Sequence, residues 1–245
     1  GKYDSAEKEL LKALKLNPSF QEAHVALAKA YIYTRKIDEA SKEINTYLAR
    51  TTSNPEAYEV AAAVSAGKKD LLAAEEYLHK ALEVSPGRAA SKIFLAEIYL
   101  SSGKKSEAEN QVKEVISADS KNKKAFYMYA KIKQSQGRME ESIDMYRKIL
   151  EIDPKDVTAE FEMGLAYIDV KKIDKAREVL DNMDKKHKGR PEVPYLRGLI
   201  LFNERKLDEA IGSLQETVKK AGIPGAYYYL GLCNLDKGNY EQATS

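Results

Sequence analysis

Residues 27–44 read LAKAYIYTRKIDEASKEI. Small and apolar side chains recur here at spacings of three and four on both sides of a polar break at residues 34–36, the pattern of two short helices joined by a tight turn. The mark at Ala40 repeats in 34-residue steps as Ala6, Ala74, Ala108, Ser142, Ala176 and Ala210, and a last step of 33 reaches Ala243. Twelve residues before each of the later seven marks stands a second small row: Ala28, Ala62, Ala96, Ala130, Gly164, Gly198 and Gly231. Four residues after the first row comes a large apolar one: Leu10, Ile44, Leu78, Val112, Tyr146, Leu180 and Leu214. Small side chains on both helices let two backbones approach, and the large neighbours fill the flanks.

A fixed period of this size marks a stack of identical supersecondary units rather than a fold around one centre. Gly103, Gly137 and Gly238 hold equivalent turn positions, as does Gly1, and glycine accepts the left-handed conformation that ends a helix. Asp38, Ser106, Asp174 and Asp208 follow as N-cap or first-turn residues of the next helix. Pro18, Pro86 and Pro154 close second helices, while Pro55, Pro191 and Pro224 open first helices, both uses exploiting the missing amide. Gly67 falls two residues before the other turn glycines, so a differently shaped hairpin is expected around KKDLLAA.

These marks, with LAKAY (27–31), LAEIY (95–99), MGLAY (163–167) and AEKEL (6–10), resemble the tetratricopeptide repeat, and the likeness covers the whole chain. It implies an all-α fold, a right-handed α–α superhelix of antiparallel helix pairs. In this register residues 1–20 hold the second helix of a partial repeat, six full repeats occupy about 21–54, 55–88, 89–122, 123–156, 157–190 and 191–223, and 224–245 is a further partial repeat. The chain thus reads as a single array cut from a longer protein. Uncapped ends carrying Leu10, Leu14, Tyr228, Tyr229 and Leu232 predict end-to-end self-association. The tryptophan often found in the family's first helix is replaced by His24, Tyr58, Lys92, Phe126, Glu160, Pro194 and Tyr227. Arg197 takes a usual leucine place, and Lys133 and Asn234 replace a tyrosine.

Composition narrows the function. Forty Lys and Arg against 38 Asp and Glu leave a net charge of +2, which provides no electrostatic basis for a nucleic-acid partner. No apolar run approaches the ~18 residues of a membrane helix, so direct membrane insertion of this segment is not expected. One cysteine, Cys233 in GLCNL, reads as a buried inert thiol. His24, His79 and His187 read as isolated, without a carboxylate or thiol partner, and no metal-ligand spacing exists. No glycine-rich phosphate loop, nucleophile elbow or HExxH is present, so no cofactor, no metal and no catalysis are expected. The basic clusters KNKK (121–124) and KKHKGR (185–190) read as solvated turns.

The remaining candidate is the face that the first helices share. Three residues before each crossing residue stand Val25, Glu59, Ile93, Tyr127, Phe161, Tyr195 and Tyr228, so four consecutive repeats present an aromatic ring at one site. Such a ladder either receives an extended peptide or a partner helix, or packs between neighbouring first helices as core. Lys29, Tyr33, Glu97, Lys131, Gln134, Asn203 and Asp236 lie beside it. The family's clamp for a terminal carboxylate needs asparagines that are missing at the matching positions.

The resulting expectation is a non-catalytic scaffold that binds a protein or peptide in a concave groove. The alternatives are the substrate-selecting repeat region of a larger enzyme such as a glycosyltransferase, or a structural part of a bacterial envelope complex. The Lys/Glu/Tyr-rich style resembles lipid-anchored bacterial tetratricopeptide proteins of exopolysaccharide and exosortase systems, which implies the periplasm. The residues themselves leave both an envelope and a cytoplasmic location open.

Overall fold

The computed structural model describes residues 2–238. Over this span the chain forms α1 (Lys2–Leu16), α2 (Gln21–Tyr33), α3 (Ile37–Leu48), α4 (Pro55–Gly67), α5 (Leu71–Val84), α6 (Ala89–Ser101) and α7 (Lys105–Ala118), then α8 (Lys123–Ser135), α9 (Met139–Ile152), α10 (Val157–Asp169), α11 (Ile173–Lys186), α12 (Glu192–Asn203), α13 (Leu207–Lys220) and α14 (Pro224–Asp236). There is no strand among the described residues. The marks at Gly1 and Ala243 lie outside them. The helices gather into two compact units that divide between Met128 and Tyr129, inside α8.

In the N-terminal unit α2 packs on α3, α4 on α5 and α6 on α7, while α1 touches α2, α3 touches α4 and α5 touches α6. The C-terminal unit repeats this with α10 on α11 and α12 on α13, followed by α14. First helices also touch one another, α2 to α4 to α6 in one unit and α10 to α12 to α14 in the other. That contact gives each unit one face built from first helices alone.

The small rows sit at the crossings. Ala28, Ala40, Ala62, Ala74, Ala96 and Ala108 are fully buried, as are Ala130, Ser142, Ala176 and Ala210, whereas Ala6 is exposed. Ile44, Leu78, Val112 and Leu214 close the flanks with almost no exposure. Two glycines carry the approach further. A Cβ on Gly164 would meet Leu196 Cδ2 at 2.7 Å, and one on Gly198 would meet Leu214 Cγ at 2.7 Å.

The expected difference at KKDLLAA is absent. Lys69 takes the left-handed conformation (φ +64°) at the register position of Gly103 (φ +78°), and Lys68, Lys69 and Asp70 make the same backbone bonds as residues 102–104. Gly67 serves packing instead, since a Cβ there would press on Ile37 Cδ1 at 3.2 Å. Asp70 caps α5 by accepting from Ala73 N (3.0 Å), and Asp156 caps α10 by accepting from Ala159 N (3.2 Å). Asp38, Ser106, Asp174 and Asp208 are each second in their helices and act through the first-turn charge or polarity, not as caps.

Arg35, Lys69, Lys171 and Arg205 hold the left-handed turn position with φ of 60 to 64°. A side chain there is strained where glycine is not, so replacement by Gly is expected to add about 0.5–1 kcal/mol each. Lys69→Gly and Lys171→Gly should raise the urea midpoint most. Arg205→Gly should gain least, because Arg205 also pairs with Asp236 at 2.5 Å. Unchanged midpoints for both lysine variants would refute the strain.

Candidate functional site: the first-helix face

On the N-terminal unit the first-helix face opens into a cleft of about 530 Å³. Ile32 and Tyr33 of α2, Glu59, Val60 and Ala63 of α4, and Ala90 and Phe94 of α6 line it, with Lys124 at one edge. Lys29 on α2 pairs with Glu56 on α4, both in the lining. Glu59 is held from the N-terminus of α6, where the preceding Arg88 donates from Nε and Nη2 at 2.7 and 2.9 Å and Ser91 Oγ donates at 2.6 Å. Burial opposes the charge of Glu59, but the bonds from Arg88 and Ser91 outweigh it and hold the carboxyl below its usual range. Tyr33 is 64% exposed and stacks on Tyr3 with ring centroids 4.2 Å apart. The cleft therefore joins an apolar floor to aromatic rims and internally neutralised charges.

The lining reaches beyond the rows identified from the sequence. Relative to each crossing residue, it uses positions six, three and two residues before and one, four and five after. Phe94, Val60 and Glu56 lay in rows without an obvious pattern, because a row that is apolar in one repeat and charged in the next has no compositional signature. Val25 is buried, and Ile93 is half-buried on α6. Tyr127 is half-buried in α8 on the N-terminal side of the division.

In the C-terminal unit Phe161 and Tyr195 stack with centroids 5.5 Å apart. The Tyr195 hydroxyl seats directly over Gly225 of α14, in space that a Cβ would occupy. Burial pushes the Tyr195 hydroxyl above its ordinary value, with nearby Tyr229 adding to the effect. Tyr228 is 64% exposed and meets Tyr229 edge-on at 5.3 Å. Gln134 Nε2 donates to the buried Tyr146 hydroxyl at 3.2 Å, while Asn203 donates back to Leu199 O at 2.9 Å. Lys131 is exposed on α8. Phe161 and Tyr195 thus bridge α10 and α12 while keeping part of each ring accessible. Among the described residues no group of three or more His, Cys, Asp or Glu could hold a metal ion, and no helix is long and apolar enough to cross a membrane.

Tetratricopeptide repeat profiles match residues 1–64, 66–132, 133–200 and 195–244. The chain belongs to the tetratricopeptide repeat family. Its fold is similar to a tetratricopeptide repeat protein from Parabacteroides merdae (17% identity, TM-score 0.73, 95% of this chain and 93% of that one). It is also similar to TTC0263, a thermophilic tetratricopeptide protein of Thermus thermophilus (26% identity, TM-score 0.62, 69% and 92%). A third similar structure is YrrB, described as a tetratricopeptide protein with an unusual peptide-binding site (15% identity, TM-score 0.53, 80% and 97%). No curated protein matches the chain.

At His24, Lys92 and Glu160, three of the departures from the tetratricopeptide pattern, ion pairs stand in place of aromatic packing. The histidines are not isolated, contrary to the sequence reading. His24 Nδ1 lies 2.6 Å from Glu43 Oε2, His187 Nε2 lies 2.8 Å from Glu160 Oε2, and His79 Nε2 sits 3.9 Å from Glu75 and 3.3 Å from the Tyr99 hydroxyl. His24, Lys92 and Glu160 all stand in the family's tryptophan row, and each pairs across its own hairpin, Lys92 with Glu114 and Glu160 with both Lys186 and His187. The KKHKGR cluster is consequently more than a solvated turn: Lys186 and His187 reach back onto buried Glu160. Lys133, in a tyrosine place, is buried over the Tyr129 ring with its ammonium 3.2 Å from Glu141. Cys233 is buried, and burial raises its thiol above the ordinary range.

Proposed function

We propose that this chain is a protein-interaction scaffold that holds an extended segment or helix of a partner along its first-helix face. The observation that carries the reading is the cleft over α2, α4 and α6, in which an apolar floor is flanked by the exposed Tyr33 ring and the half-buried Phe94 ring and the charges of α2 and α4 are already paired. Such a surface loses little on desolvation and offers rings that bury large area with little rotamer entropy. The Phe161–Tyr195 pair is read as the corresponding contact of the C-terminal unit. Similarity to a protein named for a peptide-binding site supports the same class of partner. The role is read as non-catalytic.

Two variant pairs test it. Partners captured by the whole chain are identified by mass spectrometry and titrated against Tyr33→Ala with Phe94→Ala, and against Phe161→Ala with Tyr195→Ala. Removal of two aromatic anchors is expected to weaken binding by about tenfold or more in at least one pair, with helicity retained. Unchanged affinity in both pairs would remove the first-helix face from the interaction.

A further inference from the structure

The two units neutralise this face differently. In the N-terminal unit Lys29, one residue past its crossing, pairs with Glu56, six before the next. The same two register positions in the C-terminal unit hold Leu165 and Glu192. Glu192 keeps only a 3.2 Å contact from Arg190 to one oxygen, and its other oxygen is buried without a partner. Glu162, two residues before Gly164, stands in the row that supplies Val60 and Phe94 to the cleft of the N-terminal unit. It is half-buried, adjacent in sequence to the stacked Phe161, and close enough to buried Tyr146 to oppose ionisation of its hydroxyl. Burial raises the Glu162 carboxyl above its ordinary value, and no described cation or donor offsets that cost. On α10, α12 and α14 the groove rows contain Glu162, Asp169, Glu192 and Asp236 and no lysine or arginine.

We propose that the first-helix face of the C-terminal unit takes a lysine- or arginine-bearing segment of a partner, whose cation meets Glu162 beside the Phe161–Tyr195 rings. This rests on the scaffold reading above and adds the charge of the ligand to it. A carboxylate that lacks an internal cation gains both a counter-charge and hydrogen bonds on binding, and the ring faces attract the same cation. The chain's net charge of +2 means that basic peptides are not drawn to it by bulk attraction.

The test uses fluorescein-labelled heptapeptides of alternating arginine and leucine, with glutamate–leucine and serine–leucine counterparts, titrated with the whole chain by anisotropy. The arginine peptide is expected to bind best, and Glu162→Gln to weaken it by about tenfold, as for loss of one charge-assisted bond. Asp181→Asn, on exposed α11, should change nothing. Glu162→Gln leaves no internal partner stranded, so its melting curve should be unchanged, and Glu162→Lys should turn the preference toward the glutamate peptide. Equal binding of the three peptides, no binding of the arginine peptide, or indifference to Glu162→Gln would overturn the proposal. If the aromatic variants of the preceding section still release a captured partner, the scaffold reading survives that outcome.

Discussion

Glu160→Ala is expected to lower the stability of the C-terminal unit by about 3 kcal/mol, the lower end of the cost of breaking a buried ion pair. The Glu160 side chain is only 4% exposed and accepts from Lys186 Nζ at 2.6 Å and His187 Nε2 at 2.8 Å. With alanine there, His187 stays enclosed without its partner and a cavity opens in the hairpin. Lys186 is 44% exposed and can turn to water, which keeps the loss from being larger. Glu160→Gln retains the volume and an acceptor, so about 1–2 kcal/mol is expected. As a control, Glu178→Ala breaks the exposed Lys175 pair and should cost under about 0.5 kcal/mol. Urea unfolding followed by circular dichroism ranks the three. Equal midpoints for Glu160→Ala and Glu178→Ala would mean that the buried cluster does not hold the hairpin.

The second large effect is a reversal of sign. Leu214→Ala empties a fully buried site in the α12–α13 crossing and should cost about 2–5 kcal/mol. Gly198→Ala in the unaltered chain drives a methyl group against Leu214 Cγ and Cδ2, both within 2.8 Å, and should cost about 1–2 kcal/mol after the better helix propensity of alanine is counted. In the Leu214→Ala background the same methyl group enters the vacated space, so Gly198→Ala should then stabilise by about 0.5–1 kcal/mol. Additive effects in this double-mutant cycle would place the close approach of α12 and α13 elsewhere. Ala108→Leu, in the small row of α7 that corresponds to Ala210 of α13, overpacks a fully buried crossing and should cost about 1–3 kcal/mol.

The aromatic row shows how far pattern reading extends to the site. Tyr127, Phe161, Tyr195 and Tyr228 are one row in the sequence, yet the rings differ: Phe161 and Tyr195 stack, and Tyr228 stands exposed against Tyr229. The seat for Tyr195 is Gly225, thirty residues away and in a row that alternates among Glu, Ala, Lys and Thr, so nothing local marks it. The cleft escaped for the same reason, since Phe94 and Val60 share a row with Glu162.

By itself the sequence determined the period, the helix pairs and the crossings, because backbone approach depends on side-chain size at fixed spacing and that is written in residue identity. Turn shape was also legible at Gly103 and Gly137. At Lys69 it was not, because closure of the hairpin by backbone bonds imposes the left-handed conformation on whichever residue arrives there. Only the tertiary structure decided the charges: His24 with Glu43, Glu160 with Lys186 and His187, Lys29 with Glu56, and Glu162 with none among the described residues. These partners lie 19 to 27 residues apart on different helices. With 32% of residues charged, proximity along the chain cannot select among so many opposite charges, and the choice falls to which side chains the packed helices bring within reach.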